Sequence, residues 1–321
     1  MNTFDEILGK IKEYDTIILH RHTNPDPDAI GSQAGLAKSL RLAFPEKTIL
    51  CTGENDVGDL AWINTMDEVK DSDYEGALVI TTDTANTPRV SDKRYNMGDF
   101  LIKIDHHPDV DQYADMEYVD PTASAASELI ADFIDQEKLP LNQEIALALY
   151  AGIVGDTGRF LYDATTTHTF EVAARLKATG IDTAQIARSI SEVTLGQAKL
   201  QNLSIDKLAI DEATGAALAV ISQADLKQLS VSQAEASACV SSPGRIRGIL
   251  AWIVAVEKGD GTYRIHYRSK GPFIHKLAES HDGGGHELAS GANAKDAAEV
   301  DQIYRELVDA CKNYKEEHPN D

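Results

Sequence analysis

The chain of 321 residues is poor in cysteine, in aromatic residues and in basic side chains, and these shortages exclude several classes of protein. Its three cysteines, Cys51, Cys239 and Cys311, are odd in number and far apart, which is typical of reduced, buried thiols and unlike a disulfide framework or a cysteine zinc site. No run of about 18 apolar residues is present, so the sequence predicts no membrane-spanning helix. Because no basic region followed by an apolar block opens the chain, we expect no signal peptide and a cytoplasmic location.

The charge balance is strongly acidic, with 30 basic against 52 acidic residues and a net charge of −22. Such a chain repels polyanions, and proteins that grip long DNA or RNA usually carry a basic footprint. A short anionic ligand can still bind if metal ions and a few local arginines neutralise it. The composition therefore favours a small phosphorylated ligand over long nucleic acid, and nothing in it indicates a membrane partner.

The first part of the chain alternates between strand-like and helix-like segments, which favours an α/β fold with a mostly parallel sheet flanked by helices. We predict strands at 16–20, 48–52, 77–82 and 100–105, and helices at 29–42, 124–137, 142–153 and 166–179. This pattern assigns residues 1–187 to a first domain.

The pattern changes in the last third of the chain. A polar helical linker is predicted over residues 188–207, followed by a smaller α+β domain over 208–321. In that domain we predict strands at 216–221, 248–256 and 262–267, and helices at 273–279 and 294–311.

The stretch from His20 to Ser32 holds three potential metal ligands between a predicted strand and a predicted helix. His22, Asp26 and Asp28 are spaced H-x-x-x-D-x-D, and a turn can aim all three side chains at one point. Imidazole together with carboxylates suits a divalent cation of borderline hardness such as Mn²⁺.

Three further apolar segments also deliver acidic or histidine side chains at their ends. The first ends in Asp83, the second in Asp105-His106-His107, and the third in Gly155-Asp156. In open α/β sheets the ligand site lies at the carboxyl ends of the strands, so we expect these groups to converge. Carboxylates brought together in this way repel one another, which predicts that cations accompany them.

These four motifs occur in the order found in the DHH phosphoesterase superfamily, which the first domain resembles. The resemblance implies a site for two Mn²⁺ ions, with Mg²⁺ or Co²⁺ as alternatives. It implies that His22 and Asp26 bind one ion, that Asp28, His106 and Asp156 bind the other, and that Asp83 bridges both.

The resemblance also implies catalytic roles for Asp83 and His107. His107 would face the substrate phosphate, the alternative being a supporting or helix-capping role. Asp105 would orient a ligand histidine from outside the metal shell. Gly31 and Ser32, taken as the start of a helix, offer backbone N–H groups to phosphate, although a simple helix start explains them equally well.

Two patterns in the second domain resemble the DHH-associated domain. Arg264, His266 and Arg268 would share one face of a strand, and a Gly-Gly-Gly-His loop follows them. The resemblance implies that Arg268 and His286 contact substrate phosphate and that Gly284 and Gly285 line the pocket. A helix that began near His286 would add an anion site at its N-terminus.

The two-domain layout is similar to the stand-alone nanoRNase branch of this superfamily. That likeness implies a homodimer that hydrolyses short oligoribonucleotides such as pApA, with cyclic di-AMP and 3′-phosphoadenosine 5′-phosphate as further substrates. A manganese-dependent inorganic pyrophosphatase, a single-strand exonuclease, a polyphosphate hydrolase and a non-catalytic cyclic-dinucleotide sensor stay open as alternatives. The preferred substrate and the direction of attack also stay open, as do the roles of His20, Arg159 and His275.

Overall fold

The computed structural model describes residues 2–54 and 57–319. The chain divides into two compact units, Met1–Glu192 and Val193–Asp321. The segment predicted as a linker, 188–207, contains the end of one helix and the whole of the next, and its role and boundaries stay a prediction. In the described part of the chain, no helix combines the length and the apolar character needed to span a membrane.

The first unit is a five-stranded sheet with helices packed against it. Its elements are α1 (Phe4–Glu13), β1 (Thr16–His20), α2 (Pro27–Ala43), β2 (Thr48–Cys51), β3 (Leu78–Thr82), β4 (Phe100–Asp105), β5 (Met116–Val119), α3 (Ala126–Gln136), α4 (Gln143–Asp156), α5 (Thr167–Ala178) and α6 (Thr183–Ser191). The order is β2-β1-β3-β4-β5 and every pairing is parallel, which confirms the predicted α/β class. β3 and β4 are buried nearly throughout, as strands covered on both faces must be.

The strand order places a crevice beside β1 and β3. The chain passes from β1 to β2 on one side and then to β3 on the other, so the order reverses at this point. Loops that leave the carboxyl ends of the two strands diverge there and leave room for a ligand. The loops after His20 and after Thr82 therefore flank the position where α/β sheets bind ligands.

Glycines let α2 and α4 approach closely. A Cβ atom on Gly31 would lie 2.4 Å from the carbonyl oxygen of Ala148, and one on Gly35 would lie 2.3 Å from the side chain of Leu149. The same holds from the other helix, because a Cβ on Gly152 would lie 2.6 Å from Oδ1 of Asp28. This contact brings the first turn of α2 to the last turn of α4, where Asp156 lies.

The second unit is built on a six-stranded sheet, as expected for the smaller α+β domain. Its elements are α7 (Leu195–Asp206), β6 (Ala209–Asp211), β7 (Ala216–Ile221), α8 (Gln223–Leu229), β8 (Ala251–Glu257), β9 (Tyr263–Ser269), α9 (His275–Glu279), β10 (Gly284–His286), β11 (Ala289–Ala294) and α10 (Ala297–Glu317). The order is β10-β11-β9-β8-β7-β6, and only the pairing of β7 with β8 is parallel among these described strands.

The expectation of a helix starting near His286 is wrong. Gly284–His286 forms β10, which pairs antiparallel with β11. Residues 289–294 alternate between half-buried and buried side chains, and this period of two belongs to a strand. The helix starts later, at Ala297, where the side chain of Asp296 accepts a hydrogen bond from the backbone N–H of Glu299.

Candidate metal centre

His22 and Asp26 are held by the turn between β1 and α2. Asp26 caps α2, since its Oδ1 accepts the backbone N–H groups of Asp28 and Ala29, both at 3.0 Å. Nδ1 of the buried His22 lies 2.8 Å from the carbonyl oxygen of Thr23. A carbonyl only accepts, so Nδ1 carries a hydrogen and Nε2 faces the Oδ2 atom of Asp26 at 3.6 Å.

The expectation that Gly31 and Ser32 lie at the start of α2 is wrong. The helix begins at Pro27, directly after its Asp26 cap, because proline is favoured in the first helical turn. Gly31 and Ser32 consequently lie in the second turn, where their backbone N–H groups bond within the helix. Ser32 instead donates its hydroxyl to Oγ1 of Thr82, at 3.1 Å.

Asp83 stands between two histidines. It follows β3 directly and has a φ of 50°, a left-handed conformation that aspartate tolerates better than most residues. Its Oδ2 lies 3.2 Å from Nε2 of His22, and its Oδ1 lies 3.5 Å from Nε2 of His106. Oδ1 is buried and accepts no hydrogen bond from any described residue. A buried carboxylate oxygen in this state fits a cation ligand.

His106 lies next to a second set of carboxylates. Its Nε2 lies 3.1 Å from Oδ2 of Asp156 and 4.0 Å from Oδ2 of Asp28. Its Nδ1 lies 3.3 Å from the carbonyl oxygen of Ala123, which leaves Nε2 to face the acids. The partner at Ala123 was not predicted, because a backbone carbonyl leaves no signature in the sequence.

Asp28 has a further role that the sequence did not reveal. Its two oxygens accept the backbone N–H groups of Ala126, at 2.6 Å, and Ser127, at 2.9 Å, at the start of α3. The cap residue of that helix, Ala125, has no side-chain acceptor of its own. The carboxylate of Asp28 therefore satisfies the open N-terminus of α3 and is held rigidly by it.

The structure brings all six predicted ligands together in two adjoining groups. In each group the potential ligand atoms lie within 4.8 Å of one another, with His22, Asp26 and Asp83 in one and Asp28, His106 and Asp156 in the other. Asp83, His106 and His107 form a third set of the same kind. Imidazole nitrogens and carboxylate oxygens match a divalent metal of the first transition row.

The ionisable groups in this cluster shift one another's pKa values strongly. Although burial favours the neutral ring, Asp26 and Asp83 raise the pKa of His22 well above its ordinary value, and Asp156 and Asp83 do the same for His106. Burial opposes ionisation of Asp83 as well, but both histidines hold its pKa far below the ordinary value.

Two other acids in the cluster respond in the opposite direction. Burial, together with the charges of Asp83 and Asp156, raises the pKa of Asp28 well above its ordinary value. Burial and the charges of Asp26 and Asp83 likewise raise the pKa of Asp156, although His106 opposes this. These acids carry an unfavourable charge density that a divalent cation would relieve.

Asp105 orients a histidine, but not the one expected. Its Oδ1 accepts Nδ1–H of His107 at 2.8 Å, and it accepts only the backbone N–H of the predicted ligand His106, at 3.0 Å. The imidazole of His106 turns instead to Ala123, because the loop after β4 places the two rings on different partners.

Two residues of open role lie at the edge of this region. His20 is buried behind the cluster, where its Nε2 lies 3.0 Å from the hydroxyl of Tyr74. Burial lowers the pKa of His20 to about 4, so it remains neutral. Arg159 has a φ of 64° and donates to Oγ of Ser191 at 3.2 Å.

In the second unit, the predicted phosphate contacts share one face of the sheet. Arg268 on β9 is the cross-strand partner of Ala289 on β11, which is the partner of His286 on β10. Cross-strand partners project to the same side, so Arg268 and His286 lie in one row. Gly284 pairs with Gly291 and Gly285 pairs with Ser290.

The backbone approaches closely along this edge of the sheet. A Cβ atom on Gly285, whose φ is 139°, would lie 2.7 Å from the carbonyl oxygen of Ala289. Arg264 and His266 lie on the same face as Arg268, in agreement with the predicted strand. Burial and the two arginines lower the pKa of His266 to about 4. His275 lies at the start of α9, and its role stays open.

Comparison with known proteins explains this arrangement. The model of the DHH family N-terminal domain matches residues 16–153, and the model of the DHHA1 domain matches residues 214–313. The chain belongs to the DHH family. The first match spans β1 to α4 and contains five of the six predicted ligands, while Asp156 lies just beyond it.

Two relatives align with nearly the full length of this DHH protein. A Streptococcus mutans protein named probable bifunctional oligoribonuclease and PAP phosphatase NrnA is 52% identical over 312 residues, which cover 97% of this chain and 100% of the relative. The Bacillus subtilis bifunctional oligoribonuclease and PAP phosphatase NrnA is 42% identical, covering 97% and 99%. The crystal structure of an exopolyphosphatase-related protein from Bacteroides fragilis shares the fold, with a TM-score of 0.84, 22% identity and 95% coverage of each chain.

Proposed function

We propose that this protein is a metal-dependent phosphodiesterase that hydrolyses short oligoribonucleotides such as pApA, and 3′-phosphoadenosine 5′-phosphate, to mononucleotides. The convergence of two histidines and four aspartates at one crevice carries the proposal, since such a donor set suits phosphoester hydrolysis. The names of the Streptococcus mutans and Bacillus subtilis relatives support the substrate class. Cyclic di-AMP is a further candidate substrate, because opening it cleaves the same kind of bond.

We infer that the cluster holds two Mn²⁺ ions, with Mg²⁺ or Co²⁺ as alternatives. His22 and Asp26 would hold one ion, Asp28, His106 and Asp156 would hold the other, and Asp83 would serve both through its separate oxygens. When bound, divalent cations polarise a phosphoryl oxygen and lower the pKa of water, so that a nucleophile exists near neutral pH.

Side chains of the protein would orient the substrate and hold protons for the reaction. His22, Asp83 and Asp28 are at most 2% exposed, so electrostatic interactions among these three groups are strong. His107 keeps its proton on Nδ1 through Asp105, which leaves its Nε2 to accept or hold a proton near the substrate phosphate. In the second unit, Arg268 and His286 would contact substrate phosphate, and Gly284 and Gly285 would line the pocket.

Release of mononucleotides from a labelled RNA dinucleotide in the presence of Mn²⁺ tests this function. His106→Ala should lower turnover by about 100-fold or more, as loss of a central catalytic group does. His168→Ala is the matched control, because the half-exposed His168 bonds to Asp132 outside the cluster and should leave turnover unchanged. The absence of Mn²⁺-dependent turnover at substrate levels well above micromolar would refute the proposal.

A comparative panel separates the alternatives. Turnover of pApA, cyclic di-AMP, 3′-phosphoadenosine 5′-phosphate and inorganic pyrophosphate should be measured with Mn²⁺, Mg²⁺ and Co²⁺. Preference for pyrophosphate would favour a pyrophosphatase. Tight binding of cyclic di-AMP that neither His106→Ala nor Asp28→Ala weakens, without turnover, would favour a sensor. A homodimer and a cytoplasmic location stay predictions, and light scattering during gel filtration tests the first.

A further inference from the structure

A lysine lies in the middle of β4, fully enclosed by protein. Lys103 is 0% exposed, and it is among the largest fully buried side chains of the described residues. Burying an ammonium group costs several kcal/mol unless it is paired and hydrogen-bonded. An apolar residue at this position of a buried strand would avoid that cost, so the charge itself needs an explanation.

The Lys103 ammonium ties together the two loops that carry the metal cluster. Nζ donates to the carbonyl oxygen of Ala85 at 3.2 Å and to that of Asp111 at 3.0 Å. Ala85 follows Asp83 by two positions, and Asp111 lies in the loop between β4 and β5, which also contains His106 and His107. One cation therefore fixes the loop after β3 against the loop after β4.

The same ammonium faces the carboxylate that orients His107. Nζ of Lys103 lies 3.8 Å from Oδ2 of Asp105, and Oδ2 has no hydrogen-bond partner among residues 2–54 and 57–319. The other oxygen, Oδ1, accepts Nδ1–H of His107 at 2.8 Å. Lys103, Asp105 and His107 thus form a continuous line from the interior of the sheet to the cluster.

Other groups around Lys103 reinforce this arrangement. Oδ1 of Asp109 lies 3.7 Å from Nζ, and the ring centroid of Tyr113 lies 5.1 Å from it. The Tyr113 hydroxyl donates to the carbonyl oxygen of Thr84 at 3.0 Å, which adds a second tie between the two loops. Only the Asp105 contact leads onward to a histidine of the cluster.

We propose that Lys103 is a positioning residue of the phosphodiester reaction. Its charge holds the Asp105 carboxylate in place, and Asp105 in turn fixes the ring and the Nδ1–H tautomer of His107. Lys103 is not one of the predicted metal ligands, and besides joining the two loops it acts on His107 through Asp105. The kinetic part of this inference rests on the proposed function, whereas the tautomer of His107 is a property of the chain alone.

The kinetic test replaces Lys103 by glutamine and by methionine. Lys103→Gln keeps a donor for the carbonyl groups and removes the charge, and Lys103→Met removes both. Both should lower kcat on the RNA dinucleotide by about tenfold or more, as loss of a partner behind a catalytic group typically does, with KM nearly unchanged. Lys12→Met is the matched control on an exposed lysine and should leave both constants unchanged. An unchanged kcat in Lys103→Gln would overturn the proposal.

A double variant shows whether Lys103 acts through Asp105. In the Asp105→Asn background, Lys103→Gln should cause little further loss of kcat, since residues in one network are not additive. Independent, additive losses would overturn the proposal.

Long-range ¹H–¹⁵N spectra of the histidine rings in metal-free protein supply the readout that does not depend on turnover, with His107 assigned from a His107→Asn variant. The wild type should show His107 with hydrogen on Nδ1, and Lys103→Gln should show a mixture of tautomers. An unchanged tautomer in a folded Lys103→Gln protein would overturn the inference. If the wild type hydrolyses no phosphodiester, the proposed function fails, and these spectra alone decide whether Lys103 positions His107.

Discussion

At the scale of single residues, the cluster crowds aspartates against one another and against histidines. The buried Asp28 and the half-buried Asp156 have raised pKa values because burial and neighbouring acids disfavour their charges, while Asp83 has a lowered pKa because two histidines face it. Neutralising one of the crowded acids should therefore raise the stability of the metal-free protein and lower the stability of the metal-bound protein.

Asp156→Asn should reverse the order of stability between the two states. In a chelator the variant should be more stable than the wild type by about 1 kcal/mol, or about 2–4 °C in melting temperature, because like-charge repulsion is reduced. With Mn²⁺ it should melt below the wild type, since a ligand has been weakened. Thermal unfolding in both conditions measures this.

Asp163→Asn provides the control for this reversal. Asp163 is exposed in the loop after α4, so the same substitution there should leave the melting temperature unchanged in both conditions. A variant at Asp156 that melts below the wild type in chelator would show that crowding of the carboxylates does not cost stability.

The convergence of the candidate ligands was predictable because each follows an apolar segment, and the end of such a segment is visible in the sequence. The partners of those ligands were not. Asp28 meets Ala126 across 98 residues, and His106 meets Ala123 through a backbone carbonyl. Contacts of this kind depend on where whole elements lie, and no local pattern encodes them.

At the scale of elements, the contact of α2 with α4 sets the position of Asp28. A Cβ atom on Gly152 would lie 2.0 Å from Oγ of Ser127 and 2.6 Å from Oδ1 of Asp28. Oδ1 of Asp28 accepts the backbone N–H of Ser127 at the start of α3, so it cannot move away without breaking that hydrogen bond.

Gly152→Ala should therefore lower stability and displace a metal ligand together. We expect a loss of about 1–3 kcal/mol in the free energy of unfolding, as overpacking costs, and weaker binding of Mn²⁺. Chemical denaturation and calorimetric titration of the metal measure the two effects.

Gly9→Ala is the matched control for Gly152→Ala. Gly9 lies in the middle of α1 with no atom within 4 Å of an added Cβ, so alanine should stabilise the protein by about 0.5–1 kcal/mol. If Gly152→Ala were as stable as the wild type and bound Mn²⁺ equally well, the close helix contact would not position Asp28.

Of the helices and strands that were not predicted, some have a recognisable sequence pattern and others do not. α1 was detectable, since Phe4, Ile7, Leu8 and Ile11 have helical spacing and Thr3 with Glu6 forms a capping box. β5 and β10 were not, because each has only three or four residues at the edge of a sheet and forms by pairing with a neighbour.

In the second unit, His281 joins the segment before β10 to α10. Its Nδ1 lies 3.2 Å from Oε1 of Glu299, and its Nε2 lies 2.8 Å from Oε2 of Glu306. Burial disfavours the charged ring, but the two glutamates raise the pKa of His281 above its ordinary value.

The raised pKa of His281 determines the direction in which the stability of the protein changes with pH. The stabilisation from His281 is fully present below the unfolded pKa of about 6.5 and is lost as pH rises through the higher folded value. His281→Gln should therefore cost about 1–2 kcal/mol near pH 6 and progressively less at higher pH. Unfolding free energies of both proteins between pH 5.5 and about 9 measure the difference. A difference that does not change with pH would contradict the assignment.

At the scale of the whole molecule, the net charge of −22 opposes every anionic substrate before it reaches the cluster. The predicted metal ligands include four aspartates, and the positive charge near them comes from the histidines, from Arg89 beside His22 and from Lys103 beside Asp105. Arg264 and Arg268 supply a separate basic face on β9. The chain is thus equipped to neutralise a few phosphates and not a long backbone.

This charge predicts a salt dependence opposite to that of a basic nuclease. Between low and physiological ionic strength, kcat/KM for pApA should rise by about twofold, because salt screens the repulsion between substrate and protein. The rise should be smaller for ApA, which has one phosphate fewer and serves as the control. Initial rates at fixed free Mn²⁺ in increasing potassium acetate measure it. A kcat/KM that falls steeply with salt, as when Lys and Arg contacts to phosphates dominate binding, would show that local basic groups outweigh the acidic surface and would reopen long nucleic acid as a substrate.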